Sequence, residues 1–201
     1  MKVTEGNYEW GGELLKRERT DYVVLHHAAA SGVSAQDIHR LHRQQGWKGI
    51  AYHYYVRSDG SVYRGRPEDT VGAHTKDWNG CSIGICFEGN FESGTMGQAQ
   101  KDAGRALVAE IRSRYPGAQL RRHSELAATA CPGRFFPWEE LTAPVEDEEP
   151  ENEEPEAWAR EACERLAARG LFRGDGSGAF RWREAVTRQE LAVVLARLLE
   201  G

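Results

Sequence analysis

The order of apolar and polar residues before position 124 predicts strands and helices in turn. The β-branched run YVVLHH (22–27) is typical of a buried strand. The segment 34–46 pairs Ser34 with Asp37 in a capping-box arrangement and stops at Gly46, which predicts a helix. Four more elements follow from the same patterns: a hairpin of YHYYVR (52–57) and SVYRG (61–65), a strand over 82–89, a helix over 98–117 and a strand over 118–123. This mixture predicts an α/β fold, with a central β-sheet flanked by α-helices.

An acidic, proline-containing segment marks the clearest boundary in the chain. Residues 143–156 hold eight acidic residues, three prolines and no basic residue. Like charges repel and proline stiffens the backbone, so we expect an extended linker. We therefore divide the chain into a first domain (1–142), the linker (143–156) and a C-terminal unit (157–201).

The C-terminal unit is predicted to be all-α. AWAREACERLAARG (157–170) and TRQELAVVLARLL (187–199) both have helical patterns and flank a glycine-rich segment. A helix–loop–helix of this size is too small to bury a large core alone.

Charge and hydropathy argue against a nucleic-acid partner and against a membrane span. The net charge is −5, but removing the eight linker residues from the 31 acidic ones leaves 23 against 26 basic residues, a charge of +3. No strongly basic face results, so we expect no nucleic-acid partner. No apolar run approaches the roughly 18 residues of a membrane span, and the N-terminus has no apolar segment of an export signal. We therefore expect synthesis in the cytoplasm without a signal peptide.

The segment RRHSELAATACPG (121–133) carries the most distinctive chemistry. It places His123 and Cys131 in a stretch with neither helical nor strand periodicity, a backbone that a bound metal can tie down. Only one of His26 and His27 can face a given side of their strand. His26, His123 and Cys131 would form a catalytic zinc set with a fourth position open for water. The alternative is that Cys131 is a small buried apolar residue.

The other histidines and cysteines give weaker evidence for a functional site. His39 and His42 are three residues apart on a predicted helix, and we expect them at the surface or in a groove. The four cysteines show no disulfide framework, so we expect reduced thiols.

Three blocks together resemble the zinc N-acetylmuramoyl-L-alanine amidases, which include bacteriophage lysozyme-type amidases and the peptidoglycan recognition proteins. They are VVLHHAA (23–29), GWKGIAYHYYVRSDGSVYRGRPEDTVGAHTKDWNGCSIGICFEGNF (46–91) and RRHSELAATACPG. The resemblance covers roughly residues 20 to 140, and it implies a mixed sheet of that family's type. It also implies zinc on His26, His123 and Cys131, an active-site tyrosine at Tyr52, and a substrate groove lined by His53 and His74.

Two positions depart from parts of that family. Thr129 stands where some phage members have lysine, and Cys86 stands where other members carry a glutamate general base. Glu88 lies two residues beyond Cys86, and we expect it on the same strand face. The resemblance therefore implies that Tyr52 and Thr129 donate hydrogen bonds to the developing oxyanion. One of these two residues, or Glu88, would pass a proton to the departing amine.

The expected function is cleavage of the amide bond between N-acetylmuramic acid and L-alanine in peptidoglycan, by a phage or prophage endolysin that reaches the wall through a separate pore protein. The alternatives are a non-catalytic peptidoglycan-binding module and a cytoplasmic amidase that recycles soluble muropeptides. The C-terminal unit resembles a single S-layer homology repeat. That resemblance implies binding to a secondary cell-wall polymer, and self-association into a homo-oligomer is the alternative role.

Overall fold

The computed structural model describes residues 2–143, 154–174, 180, 182, 186 and 188–200. Contacts within the chain divide it into two units, Met1–Val145 and Glu146–Gly201. Most of the predicted acidic linker, and most of the glycine-rich segment between the two C-terminal helices, lie outside the described residues.

A six-stranded mixed sheet forms the centre of the first unit. Its strands are β1 (Val3–Thr4), β2 (Tyr22–His27), β3 (Tyr54–Val56), β4 (Val62–Arg64), β5 (Ser82–Phe87) and β6 (Gln119–Arg122). Their order across the sheet is β1-β4-β3-β5-β2-β6. Only β3 and β4 pair antiparallel, and the other neighbours pair parallel. The predicted α/β class with a mixed sheet is confirmed.

Helices pack on both faces of this sheet. The first unit contains α1 (Ala35–Gln44), α2 (Gln98–Arg114) and α3 (Trp138–Thr142), and the second contains α4 (Arg160–Ala168) and α5 (Arg188–Glu200). The predicted capping box is present at the start of α1, where Ser34 and Asp37 bond reciprocally. None of the helices in the described part of the chain combines the length and hydrophobicity needed to span a bilayer.

Alternation along the strands separates two apolar clusters. Val23, Leu25 and Ile85 point towards α2, whose Leu107 and Ile111 complete the larger cluster. The second cluster lies on the α1 face of the sheet, and it consists of Ala35, Ile38, Ile50, Tyr55 and Cys86. His26 has the opposite parity to Val23 and Leu25, so its side chain points to the α1 face together with Cys86, its register partner on β5.

Four predicted strands are shorter than expected, and three of the differences bear on the candidate site. Tyr52 and His53 precede β3, Glu88 follows the end of β5, and His123 opens a short 3-10 turn (His123–Glu125) after β6. Glu88 directly follows β5, and its carboxylate is bonded to the Gly32 amide in the segment before α1.

Candidate metal centre and active site

His26 and His123 are brought together by parallel pairing of β2 and β6. The register places Leu25 opposite Arg122, so His26 near the end of β2 and His123 just after β6 lie at the same edge of the sheet. Their ring centroids are 4.5 Å apart. The sheet topology alone thus places two imidazoles side by side.

A backbone hydrogen bond closes the loop that brings Cys131 to these histidines. The amide of Ser124 donates to the carbonyl oxygen of Cys131 at 2.8 Å. The Cys131 Sγ lies 3.8 Å from His26 Nδ1 and accepts a hydrogen bond from the His27 amide at 3.4 Å. The irregular segment that separates His123 from Cys131 is therefore a loop that folds back on its own start.

Gly133 anchors the far end of this loop. Its φ of +103° lies in a region that L side chains rarely adopt. A Cβ at this position would lie 2.4 Å from the carbonyl carbon of Phe91 and 2.6 Å from the Glu92 nitrogen. Glycine therefore allows the backbone after Cys131 to pack directly against residues 91–92.

The three side chains lie close enough together to hold one metal ion. The ligand atoms of His26, His123 and Cys131 all lie within 4.8 Å of one another. Tetrahedral zinc with bonds of about 2.3 Å to sulfur and about 2.0–2.1 Å to nitrogen separates those two atoms by about 3.6 Å. The observed separation of 3.8 Å between Cys131 Sγ and His26 Nδ1 needs only a small adjustment. Two imidazoles and one thiol form a donor set that suits zinc and leaves a fourth position open.

Burial sets the protonation of these groups. It lowers the pKa of His26 well below its usual value, and the neighbouring His123 and His27 lower it further. Burial, and then His27, also lowers the pKa of His123. Burial raises the pKa of the Cys131 thiol to about 11, against the opposing effect of the His27 amide. In the metal-free protein both imidazoles are neutral and the thiol is protonated, so binding of a dication would release the thiol proton.

Tyr52, which the family resemblance assigns to the active site, lies beside the cluster. Its ring centroid is 5.2 Å from that of His26. Burial raises the pKa of Tyr52 well above its usual value, and the nearby Cys86 and Cys131 thiols add to this effect. The phenol therefore remains protonated and can donate a hydrogen bond.

Thr129 lies in the same loop as Cys131 and is exposed. Its Oγ1 accepts a hydrogen bond from the Cys131 amide at 3.2 Å, which leaves the hydroxyl proton available to another acceptor.

Glu88 is occupied elsewhere. Its carboxylate accepts hydrogen bonds from the amides of Gly32 at 2.7 Å and Ser58 at 3.0 Å, and it pairs with Arg57 at 3.1 Å. Burial alone would raise the pKa of Glu88, but the Ser58 amide, Arg57 and the Gly32 amide together lower it. These bonds join three chain segments, and none of the hydrogen bonds of this carboxylate among the described residues goes to His26, His123 or Cys131.

His53 does not line an open groove. It is fully buried, its Nδ1 accepts from the Gly84 amide at 2.9 Å, and its Nε2 lies 2.9 Å from the Thr70 carbonyl oxygen. The expected contact of His53 with substrate is therefore wrong, because both ring nitrogens are bonded within the protein.

His74 lies behind the cluster instead of along a substrate groove. It is 7% exposed, and its Nδ1 is 3.0 Å from Nε2 of His26. The expectation that His74 lines the groove is replaced by a direct contact with a candidate metal ligand. Sequence patterns do not reveal that contact, because it joins residues from segments far apart in the chain.

His39 and His42 also differ from expectation. Both are buried, and their Nδ1 atoms accept hydrogen bonds from the amides of Ile50 and Ala51. They hold the segment before Tyr52 against α1, so the predicted surface location is wrong.

The chain is similar to known proteins in both sequence and structure. Residues 16–134 match the N-acetylmuramoyl-L-alanine amidase family. The chain belongs to this family. It is 36% identical over 125 residues to the endolysin of Escherichia phage T7, a match that covers 58% of this chain and 83% of the phage protein. It is also 34% identical over 150 residues to peptidoglycan-recognition protein SC2 of Drosophila melanogaster, covering 66% of this chain and 81% of that protein.

Solved structures agree with the sequence relatives. The endolysin N-acetylmuramoyl-L-alanine amidase LysCS from Clostridium intestinale URNW superposes with a TM-score of 0.69 at 39% identity, covering 71% of this chain and 93% of LysCS. These matches confirm the expected fold and the expected function, an endolysin-type amidase that hydrolyses peptidoglycan.

Proposed function

We propose that this amidase is zinc-dependent and that His26, His123 and Cys131 hold the metal. The observation that carries the proposal is the convergence of three suitable ligand atoms within 4.8 Å of one another, from two strand ends and one loop. Zinc, when bound, supplies an activated water and polarises the scissile carbonyl.

Tyr52 and Thr129 are the groups that we propose to stabilise the oxyanion. Tyr52 is a partly buried, protonated phenol beside His26. Thr129 is held two residues before Cys131 by its bond to the Cys131 amide, with its hydroxyl proton free. In comparable sites, removing one fixed hydrogen-bond donor near the developing charge raises the activation free energy by about 3–4 kcal/mol. Because the Glu88 carboxylate is bonded to Gly32, Ser58 and Arg57, we propose Tyr52 and Thr129 also as the groups that pass a proton to the leaving amine.

Metal removal tests the proposal. Dialysis against a strong chelator should abolish lysis of purified cell walls, and stoichiometric zinc should restore it. Cys131→Ser serves as the control, since zinc should not restore activity where the thiolate ligand is absent. Full activity of a protein shown by mass analysis to be free of metal would contradict zinc dependence.

For the C-terminal unit we propose binding to a secondary cell-wall polymer, so that the amidase acts while tethered to the bacterial wall. The proposal is supported by the likeness of its sequence to an S-layer homology repeat and by Trp158, which is 86% exposed and thus available to stack on a sugar ring. Along α5, Leu191, Val193, Leu195 and Leu198 are each about half exposed, which also suits the alternative of self-association. Measuring wall binding and solution mass of the same protein separates the two roles.

A further inference from the structure

Three polar groups form a chain behind His26. His26 Nε2 lies 3.0 Å from His74 Nδ1, and His74 Nε2 lies 3.4 Å from Ser82 Oγ. Ser82 Oγ in turn donates to the carbonyl oxygen of Trp78 at 2.7 Å. The chain runs from a candidate metal ligand to a backbone acceptor that cannot change its role.

Because the end of this chain is a carbonyl, the direction of each hydrogen bond is fixed. The Ser82 hydroxyl uses its proton on Trp78, so Ser82 Oγ accepts from His74 Nε2–H. His74 Nδ1 then carries a lone pair and accepts from His26 Nε2–H. The Thr75 hydroxyl, 3.0 Å from the same His74 nitrogen, can also donate to it, which is consistent with an acceptor at Nδ1.

The consequence appears at the other nitrogen of His26. A neutral imidazole with its proton on Nε2 has its lone pair on Nδ1, which is the nitrogen that faces Cys131 Sγ at 3.8 Å. The opposite tautomer would place a proton where a metal must bind. The polar chain thus selects the tautomer of His26 that can act as a ligand.

The backbone around His74 confines its side chain. A Cβ at Gly72 or at Gly84 would approach the His74 ring to 2.5 Å, so the ring occupies a slot that exists because both residues are glycines. The His74 amide also donates to Asn79 Oδ1 at 2.7 Å, which fixes the backbone. The ring is therefore confined in position as well as in tautomer.

We propose that His74 is a positioning residue which, together with Ser82, orients His26 and holds it in the tautomer required for metal binding. The inference rests on the proposed zinc site. It assigns His74 a task in metal affinity instead of contact with substrate.

Zinc affinity, measured by competition with a chelating dye, tests this role directly. His74→Phe keeps the ring but removes the acceptor, and we expect about ten- to hundredfold weaker zinc binding, the usual effect of losing such a partner. His74→Asn places Oδ1 near the position of Nδ1, so it restores the acceptor and should bind zinc within about fivefold of the parent. Ser82→Ala leaves the ring in place and removes the hydroxyl that accepts from His74 Nε2–H, and a loss of about three- to tenfold is expected.

Cobalt provides a second readout that does not depend on activity. Cobalt(II) bound to the parent should give the visible bands of a tetrahedral thiolate site, and these bands should shift or weaken in His74→Phe but not in His74→Asn. If His74→Phe does not fold, as judged by its thermal transition, Ser82→Ala and His74→Asn still provide the comparison.

The possible failures are distinguishable. A parent protein that binds no zinc would overturn the proposed metal site, and with it this inference. A parent that binds zinc tightly, together with folded His74→Phe and Ser82→Ala variants of equal affinity, would overturn only the positioning role of His74.

Discussion

The amide of Ser124 donates to the carbonyl oxygen of Cys131, and this 2.8 Å hydrogen bond closes the loop that places two candidate metal ligands together. His123 precedes Ser124, so the bond sets the distance between the His123 ring and the Cys131 thiol. The irregular sequence between these residues has no periodicity because its shape is set by this closure and by packing against residues 91–92.

Replacing the thiol tests its role as a ligand. Cys131→Ser should lose bound zinc and lytic activity while the fold largely survives, because the side chain lies in a loop outside the two apolar clusters. Metal content by mass spectrometry and turbidity of a cell-wall suspension measure the two effects. Stoichiometric zinc with full lysis in this variant would show that Cys131 is not a ligand.

The adjacent histidines at 26 and 27 should behave differently. His26→Ala should abolish zinc binding, because Nδ1 of His26 belongs to the cluster. His27 Nδ1 instead accepts from the Phe91 amide at 3.1 Å, so His27→Ala should cost about 1–2 kcal/mol of stability but retain zinc. Zinc titration combined with urea unfolding gives both quantities. The reverse ranking of zinc affinities would mean that the wrong histidine has been assigned.

Gly133 offers a test of the loop itself. Gly133→Ala should destabilise the loop and weaken zinc binding, since the new Cβ would clash with backbone atoms of Phe91 and Glu92 at a positive φ. We expect a loss of about 2 kcal/mol or more in the free energy of unfolding. Gly117→Ala is the matched control, because a Cβ there meets nothing within 4 Å. Equal stabilities of the two variants would refute the packing argument.

Local elements of this fold can be predicted from the sequence, whereas contacts between distant segments cannot. The apolar run of β2 and the capping residues of α1 predict local structure well, because alternation and capping are local properties. The roles of Glu88 and His53 could not be predicted, because each depends on hydrogen bonds to residues distant in sequence. The contact of His74 with His26 depends likewise on a slot formed by two glycines from different segments. Gly72 and His74 both lie outside the strands, so strand alternation carries no signal for this contact.

Buried neutral histidines should make the fold sensitive to acid. Burial, and then Arg66 and His39, lower the pKa of His42 to about 4, and burial lowers the pKa of His53 to about 3 despite its bond to Thr70. Both pKa values lie below the usual 6.5. As the pH falls below 6.5, the unfolded chain therefore binds more protons than the folded protein does. Stability should therefore be full above about pH 6.5 and should decline towards pH 4.

Urea unfolding of the zinc-free protein between pH 7.5 and pH 4 measures this decline. His42→Asn keeps an acceptor for the Ala51 amide and removes the titrating group. Its loss of stability between pH 7.5 and pH 4 should therefore be smaller than that of the parent, by about 1–3 kcal/mol at pH 4. Identical pH dependence in the parent and in His42→Asn would contradict the assigned contribution of His42.

Truncation separates catalysis from targeting. A chain ending at Val145 retains the whole first unit, including every residue proposed for the active site. It should cleave small soluble muropeptides at close to the full-length rate but act more slowly on intact walls, where tethering raises the local enzyme concentration. Pulldown with purified walls and the mass in solution should be measured for both proteins. Equal wall binding by both proteins, with an oligomer only at full length, would assign assembly to the C-terminal unit.

Mass spectrometry of digested peptidoglycan tests whether this chain is a zinc-dependent amidase that uses His26, His123 and Cys131. The parent protein should release stem peptides with free L-alanine amino termini and create no new reducing sugar ends. This release should disappear after chelation and in Cys131→Ser, and zinc should restore it only in the parent. New reducing ends without L-alanine termini would contradict the amidase activity, and undiminished release after zinc removal would contradict its zinc dependence.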